Sequence, residues 1–127
     1  MSLVRIDLVR GSSREFRSRL GDAVHRALVD TLNVPETERF QVIAELEPDG
    51  LVYDPACLGI HFGGAWILIQ VMLNGGRTLA AKKAFCARVS ELLAGELGIR
   101  GEDVFINLVE VARENWSFGH GIVQYAS

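Results

Sequence analysis

The chain has 127 residues, 49% of them hydrophobic and 23% charged, with 13 basic residues against 16 acidic ones and a net charge of −3. That length and balance predict one globular domain, residues 1–127, with its own core, and the scattered basic residues exclude a nucleic-acid-binding stripe. No apolar run approaches the roughly 20 residues of a membrane span, no charged leader precedes an apolar stretch, and the two cysteines, Cys57 and Cys86, have no metal-ligand spacing, so a reduced cytoplasmic setting is expected.

Leu3 to Val9 alternates apolar and charged residues and predicts a half-buried strand. Gly11-Ser12-Ser13 ends it, and Ser12 followed three residues later by Glu15 reads as a capping box. Phe16, Leu20, Ala23, Val24, Ala27, Leu28 and Leu32 then mark one helical face, which Asn33 and Pro35 terminate. Phe40 to Leu46 is a second strand. Residues 48–64 contain two prolines and four glycines and predict a loop with a short strand or turn.

Ala65 to Leu73 is almost wholly apolar, the pattern of a central strand buried on both faces. Gly75-Gly76 leads into a helix over Thr78 to Leu97, and Gly98 ends it. Val104 to Ala112 is the last long strand. The tail from Trp116 to Ser127 reads as a short hairpin.

The two halves repeat. At an offset of 65, Leu8 meets Leu73, Gly11 meets Gly76, Val24 meets Val89, Leu28 meets Leu93, Leu32 meets Leu97, Phe40 meets Phe105 and Glu45 meets Glu110. Ser13 with Thr78, Val34 with Ile99, and Glu38 with Asp103 are conservative pairs in the same frame. The implied fold is α/β of the α+β type. Two β-α-β units, about 1–47 and 65–112, form a four-stranded mixed sheet with both helices on one face, followed by the tail 113–127. Each long crossover makes a parallel, right-handed pair. A sheet with one bare face calls for a partner chain. Ferredoxin-like and ACT-type domains also arise from duplicated units, but they need a different strand order.

The opening LVRIDL, the VPETERFQ stretch, the strand-turn LNGGR, the GEDVFINLVE strand and WSFG in the tail follow one another nearly end to end. In that order they resemble the tautomerase superfamily, and most closely its malonate semialdehyde decarboxylase branch. The resemblance implies a homotrimer whose sheets line a central barrel, with sites at subunit boundaries and neither metal nor organic cofactor. It implies an enzyme acting on a small oxo-carboxylic acid. Proton transfer there gives keto–enol tautomerisation, decarboxylation or hydration.

In that family the catalytic group is the amine of an N-terminal proline. A free α-amino group titrates near ~7.7–8.0, and apolar surroundings lower that value by disfavouring its charged form. Here position 2 is Ser2, behind Met1. Three readings of that position stand: an artificial start, a serine whose primary amine acts once methionine is removed, or a member that has lost the chemistry. Arg77 matches an arginine that holds substrate carboxylate, which suits a planar guanidinium fork. The decarboxylase pattern has a second arginine where this chain has Gly75.

Glu38 stands where the family has an aspartate that helps activate water, and Arg39 beside it is a candidate for anion recognition. Trp116 and Phe118 match aromatics that wall the pocket. His25, His61 and His120 lack ligand spacing, and His25 reads as structural. Cys86 reads as helix packing. Tyr53 and Asp54 are within reach of a site but indistinguishable from turn residues. The alternative to an enzyme is a catalytically silent trimer that binds a small anion or serves in assembly.

Overall fold

The computed structural model describes residues 1–126; Ser127, the last residue of the expected tail hairpin, lies outside them. The long elements are β1 (Ser2–Val9), α1 (Arg14–Leu32), β2 (Gln41–Leu46), β5 (Ile67–Asn74), α2 (Leu79–Leu97) and β6 (Val104–Val111). Between the repeats lies a two-stranded hairpin, β3 (Ala56–Cys57) and β4 (Ile60–His61). The main sheet has the order β2-β1-β5-β6. β1 pairs parallel with β2, and β5 with β6. The two units meet antiparallel at β1–β5, with Ser2 opposite Leu73 and Ile6 opposite Ile69. This order is the predicted mixed sheet and excludes the ferredoxin-like alternative.

Both helices pack on one face of the sheet. Val4, Ile6 and Leu8 from β1 and Ile67, Ile69, Val71 and Leu73 from β5 join Leu20, Val24, Leu28, Phe85, Val89 and Leu93 in one core. The repeat extends to the caps. Ser13 and Thr78 each accept a hydrogen bond from the amide three residues on, and Asn33 and Gly98 each close their helix at φ 56° and 66°. Gly11 and Gly76 turn at φ 112° and 109°, where a side chain would be strained. β1 and β5 themselves begin 65 residues apart.

Three expectations change. The cap of α1 is Ser13, because Ser12 is drawn away to Glu45. β5 is not buried on both faces: its residues alternate between buried and half-buried, since only one side of the sheet carries helices. The tail makes one isolated bridge, Gly119 to Ile122, between short 3₁₀ turns at Arg113–Asn115 and Gln124–Ala126, rather than a hairpin ladder. Among the described residues no helix is long and apolar enough to cross a membrane, and no three His, Cys, Asp or Glu gather as a metal site.

Candidate active site at the start of the first strand

Parallel pairing within each unit and antiparallel pairing between them bring four strand ends together. The starts of β1 and β2 lie beside the ends of β5 and β6. Ser2 is the first residue of β1 and is 2% exposed. It shares the helix-facing side with Val4, Ile6 and Leu8, and the amide of Val4 donates to the Phe40 carbonyl at 2.9 Å. A cavity of about 320 Å³ opens here, lined by Met1, Ser2, Leu3, Phe40, Trp116 and Phe118. With Met1 attached the Ser2 nitrogen is a peptide amide, which is neither base nor nucleophile.

The tail supplies the aromatic wall. Trp116 stacks on Phe118 with centroids 5.7 Å apart, Phe118 meets Tyr125 edge-on at 5.2 Å, and the Arg113 guanidinium lies 4.5 Å over the Tyr125 ring. These contacts fold the glycine-containing tail onto itself, and Trp116 and Phe118 line the cavity with the start of β1. The indole N–H of Trp116 is buried without a hydrogen-bond partner among the described residues.

Arg77 lies at the same end of the sheet, four residues beyond the partner of Ser2. Its side chain lines a separate cleft of about 430 Å³ between the end of α1 and the start of α2. Nε and Nη2 donate to the Leu32 carbonyl at 3.3 and 3.1 Å, and Nη1 donates to the Asn74 carbonyl at 2.8 Å. The Leu32 carbonyl is one of the last four in α1 and has no helical donor of its own. Arg77 thus staples the end of one helix to the start of the other. Three of its five N–H groups are used, which leaves two for a ligand.

The remaining predicted residues divide. The Glu38 carboxylate makes no hydrogen bond or ion pair among the described residues, while its repeat counterpart Asp103 is fully employed. Asp103 is buried, accepts from the Gly63 amide at 2.5 Å and pairs with Arg100. Arg39 is held by Asp22 at 2.7 Å and by Gln41, on a cleft beside His25 and away from the Ser2 cavity. His25 is buried with Nε2 2.8 Å from the Glu36 carbonyl, a structural partner. Burial pushes the Cys86 thiol up. Tyr53 donates to the Gly63 carbonyl and stacks on Trp66, so it supports the linker. His61 sits in β4 and His120 at a tail turn with φ 58°.

Sequence reasoning missed a loop clamp. Glu45 accepts from the amides of Gly11 and Ser12, from the Ser12 hydroxyl and from Arg17. The Ser12 hydroxyl above all, then its amide and Arg17, hold the Glu45 carboxyl below the usual glutamate range. In the second repeat Glu110 pairs instead with Lys82, and the amides of Gly76 and Arg77 receive no acceptor among the described residues. The signal was available: the offset that aligns Glu45 with Glu110 also aligns Arg17 with Lys82.

Comparison with known proteins gives concordant matches. A family profile described as tautomerase enzyme matches residues 38–119, and a second profile of the same description matches residues 3–59. The probable tautomerase YusQ of Bacillus subtilis (strain 168) is 37% identical over 98% of both chains, and the probable tautomerase YrdN of the same organism is 28% identical over 98% of this chain and 96% of its own. A solved malonate semialdehyde decarboxylase inhibited by 3-bromopropiolate is 41% identical, with a TM-score of 0.88 over 97% of this chain and 93% of that one. A second malonate semialdehyde decarboxylase, studied for decarboxylase and hydratase activities, is 31% identical with a TM-score of 0.88 over 97% and 95%. Fused 4-OT trimers at 24% identity and below share the fold.

Proposed function

The chain belongs to the tautomerase superfamily, in the malonate semialdehyde decarboxylase branch, and from that premise we propose that it moves protons on a small oxo-carboxylic acid. It is a tautomerase-type enzyme; the substrate and the residue roles below are our reading. The observation that carries it is the placement of Ser2: buried, at the head of β1, in a cavity walled by Phe40, Trp116 and Phe118. Once Met1 is removed, the Ser2 nitrogen is a primary amine in apolar surroundings, which favour its neutral, basic form. Such a base near neutrality is suited to taking a proton from the carbon next to a carbonyl and returning one to carbon or oxygen.

Arg77 uses its two free N–H groups on the substrate carboxylate, and Glu38, unpaired, orients water or takes up a proton. The aromatic wall keeps water from competing. The same parts support loss of carbon dioxide from a 3-oxo acid: the protonated Ser2 amine donates to the carbonyl oxygen, the electron pair of the breaking carbon–carboxylate bond passes to that oxygen as an enolate, and the ammonium returns its proton to carbon. Ser2 and Arg77 line separate cavities at one end of the sheet, and on our reading a site between subunits unites them. A homotrimer is supported by the bare sheet face and by Val52 and Leu58, which stand 90% and 96% exposed.

A second reading is favoured by one observation, serine rather than proline at position 2. On that reading the protein binds a small anion without turning it over. Intact mass together with enol-to-keto turnover separates the two. Loss of 131 Da (about one methionine residue) with turnover supports the enzyme. Complete methionine removal with no turnover of any 2- or 3-oxo acid, even after Ser2→Pro, refutes it.

A further inference from the structure

The repeat gives the Ser2 cavity a counterpart at the opposite end of the sheet. Beside the end of β1 and the start of β5 lies a cavity of about 450 Å³, whose walls include Val9, Leu51, Val52, Tyr53, Gly64 and Trp66. The walls of the two cavities correspond at the same offset of 65: Trp66 matches Met1, and Leu51, Val52 and Tyr53 match Trp116, Ser117 and Phe118. No free amine stands in the second cavity, because the Ile67 nitrogen is bonded to Trp66. The shape is kept without the proton-transfer group.

Trp66 is 8% exposed, and its indole N–H is buried with no hydrogen-bond partner among the described residues. A buried donor left unpaired costs free energy, so an acceptor brought to it is favoured. The Tyr53 hydroxyl already donates to the Gly63 carbonyl at 2.9 Å. Tyr53 stacks on Trp66 with centroids 4.6 Å apart, and Phe105 and Phe62 pack on the same indole at 5.3 and 6.3 Å. The ring is therefore fixed before any ligand arrives, which lowers the ordering cost of binding. None of the lining residues is charged at neutral pH. The nearest charges along the chain are Arg10 and Glu47, paired at 3.1 Å, and Asp49 and Asp54, both acidic; Asp103, which holds the Gly63 amide, pairs with Arg100. Such a rim disfavours an anion.

We infer that this cavity is a second, non-catalytic binding site for a small, flat, neutral molecule with one hydrogen-bond acceptor, of the aryl ketone class. The apolar walls and the fixed indole take the ring, and the Trp66 N–H takes the acceptor. The inference goes beyond the proposed activity and does not rest on the roles of Ser2 or Arg77.

The experiment titrates the full chain with para-fluoroacetophenone and with its alkene analogue, in which methylene replaces the carbonyl oxygen, and follows the fluorine NMR line of each probe. Wild type should bind the ketone saturably, with a dissociation constant on the order of 1 mM, the range of a fragment this small. It should bind the alkene about three- to tenfold more weakly, the worth of one neutral hydrogen bond. Trp66→Phe keeps an aromatic ring and removes the donor, so the ketone should fall to the affinity of the alkene. Gly64→Leu adds a side chain where a Cβ meets nothing within 4 Å and should weaken both probes; it carries the test if circular dichroism shows that Trp66→Phe does not fold.

The inference is overturned if neither probe binds wild type, if ketone and alkene bind alike, or if Gly64→Leu leaves both unchanged. It is overturned too if binding is lost in Trp116→Phe and kept in Trp66→Phe, which would put the probe in the Ser2 cavity. Oxo-acid turnover, read on the same samples, decides the proposed function separately.

Discussion

Replacing Arg77 with methionine keeps the apolar stem and removes the guanidinium, so its effects report on what the charge does. The lost contacts are defined: two donors to the Leu32 carbonyl and one to the Asn74 carbonyl. A hydrogen bond from a charged donor contributes about 1.5–3 kcal/mol when protected, and the half-buried position reduces this, so the two carbonyls together lose about 2 kcal/mol. For a chain of this size that corresponds to a thermal midpoint about 5–10 °C lower. Arg19 is the natural control. It makes one bond, Nη2 to the Glu96 carbonyl at 2.7 Å, at the exposed end of α2 and away from the Ser2 cavity. Arg19→Met should cost about 0.5–1 kcal/mol and leave oxo-acid turnover unchanged. Thermal melts and steady-state turnover on all three proteins decide the matter. An unchanged midpoint in Arg77→Met would mean that the guanidinium does not hold the helix end in solution. A lowered midpoint with undiminished turnover would mean that it does nothing else, and the carboxylate role would fall.

Two further outcomes test the scaffold. Phe85 is fully buried where the helices meet the sheet, and Phe85→Ala should cost about 3–5 kcal/mol in urea melts; a loss below about 1 kcal/mol would show that the core refills the gap. Glu45→Gln removes a carboxylate whose folded value lies below its ordinary value near 4.5, so its stabilising contribution is present above that value and is lost as pH falls through the lowered one. The variant should therefore melt below wild type at neutral pH, and the difference should vanish on acidification; a difference that persists in acid would assign the effect to shape rather than charge.

Much of the fold was legible because both kinds of periodicity recur at one offset. The strand alternation fixed the core side of β1, and the helical stripe fixed the buried side of α1, from Leu20 through Leu32. What stayed hidden depended on contacts distant in sequence. Ser12 and Ser13 are equally able to cap, and only Glu45, 33 residues from Ser12, decides between them. An apolar run such as Ile67–Leu73 cannot say whether its second face meets helices, solvent or another chain. The tail failed as a hairpin because His120 and the glycines flanking it all take positive φ, which turns the chain too tightly for a ladder.

The site was less legible than the fold. Arg77 reaches a carbonyl 45 residues away, which no local pattern reports. Arg39 and Glu38 are adjacent in sequence, yet one is tied down and the other has no partner among the described residues. Gly21 explains part of the difference: a Cβ there would meet Gln41 Oε1 at 2.5 Å, so its absence lets Gln41 settle on α1 and hold the Arg39 fork. Ser2 and the aromatic wall came from the family resemblance, because a serine at position 2 has no pattern of its own.

Duplication copies strands and caps, but it cannot copy a beginning. Ile67 holds in the second half the place that Ser2 holds in the first, and its nitrogen is bound to Trp66. On the function proposed above, the molecule has two related seats and, once Met1 is removed, one occupant able to ionise. A circular permutant opened between Trp66 and Ile67, with the old ends joined, would move that privilege to the other seat and turn the present one into scaffolding.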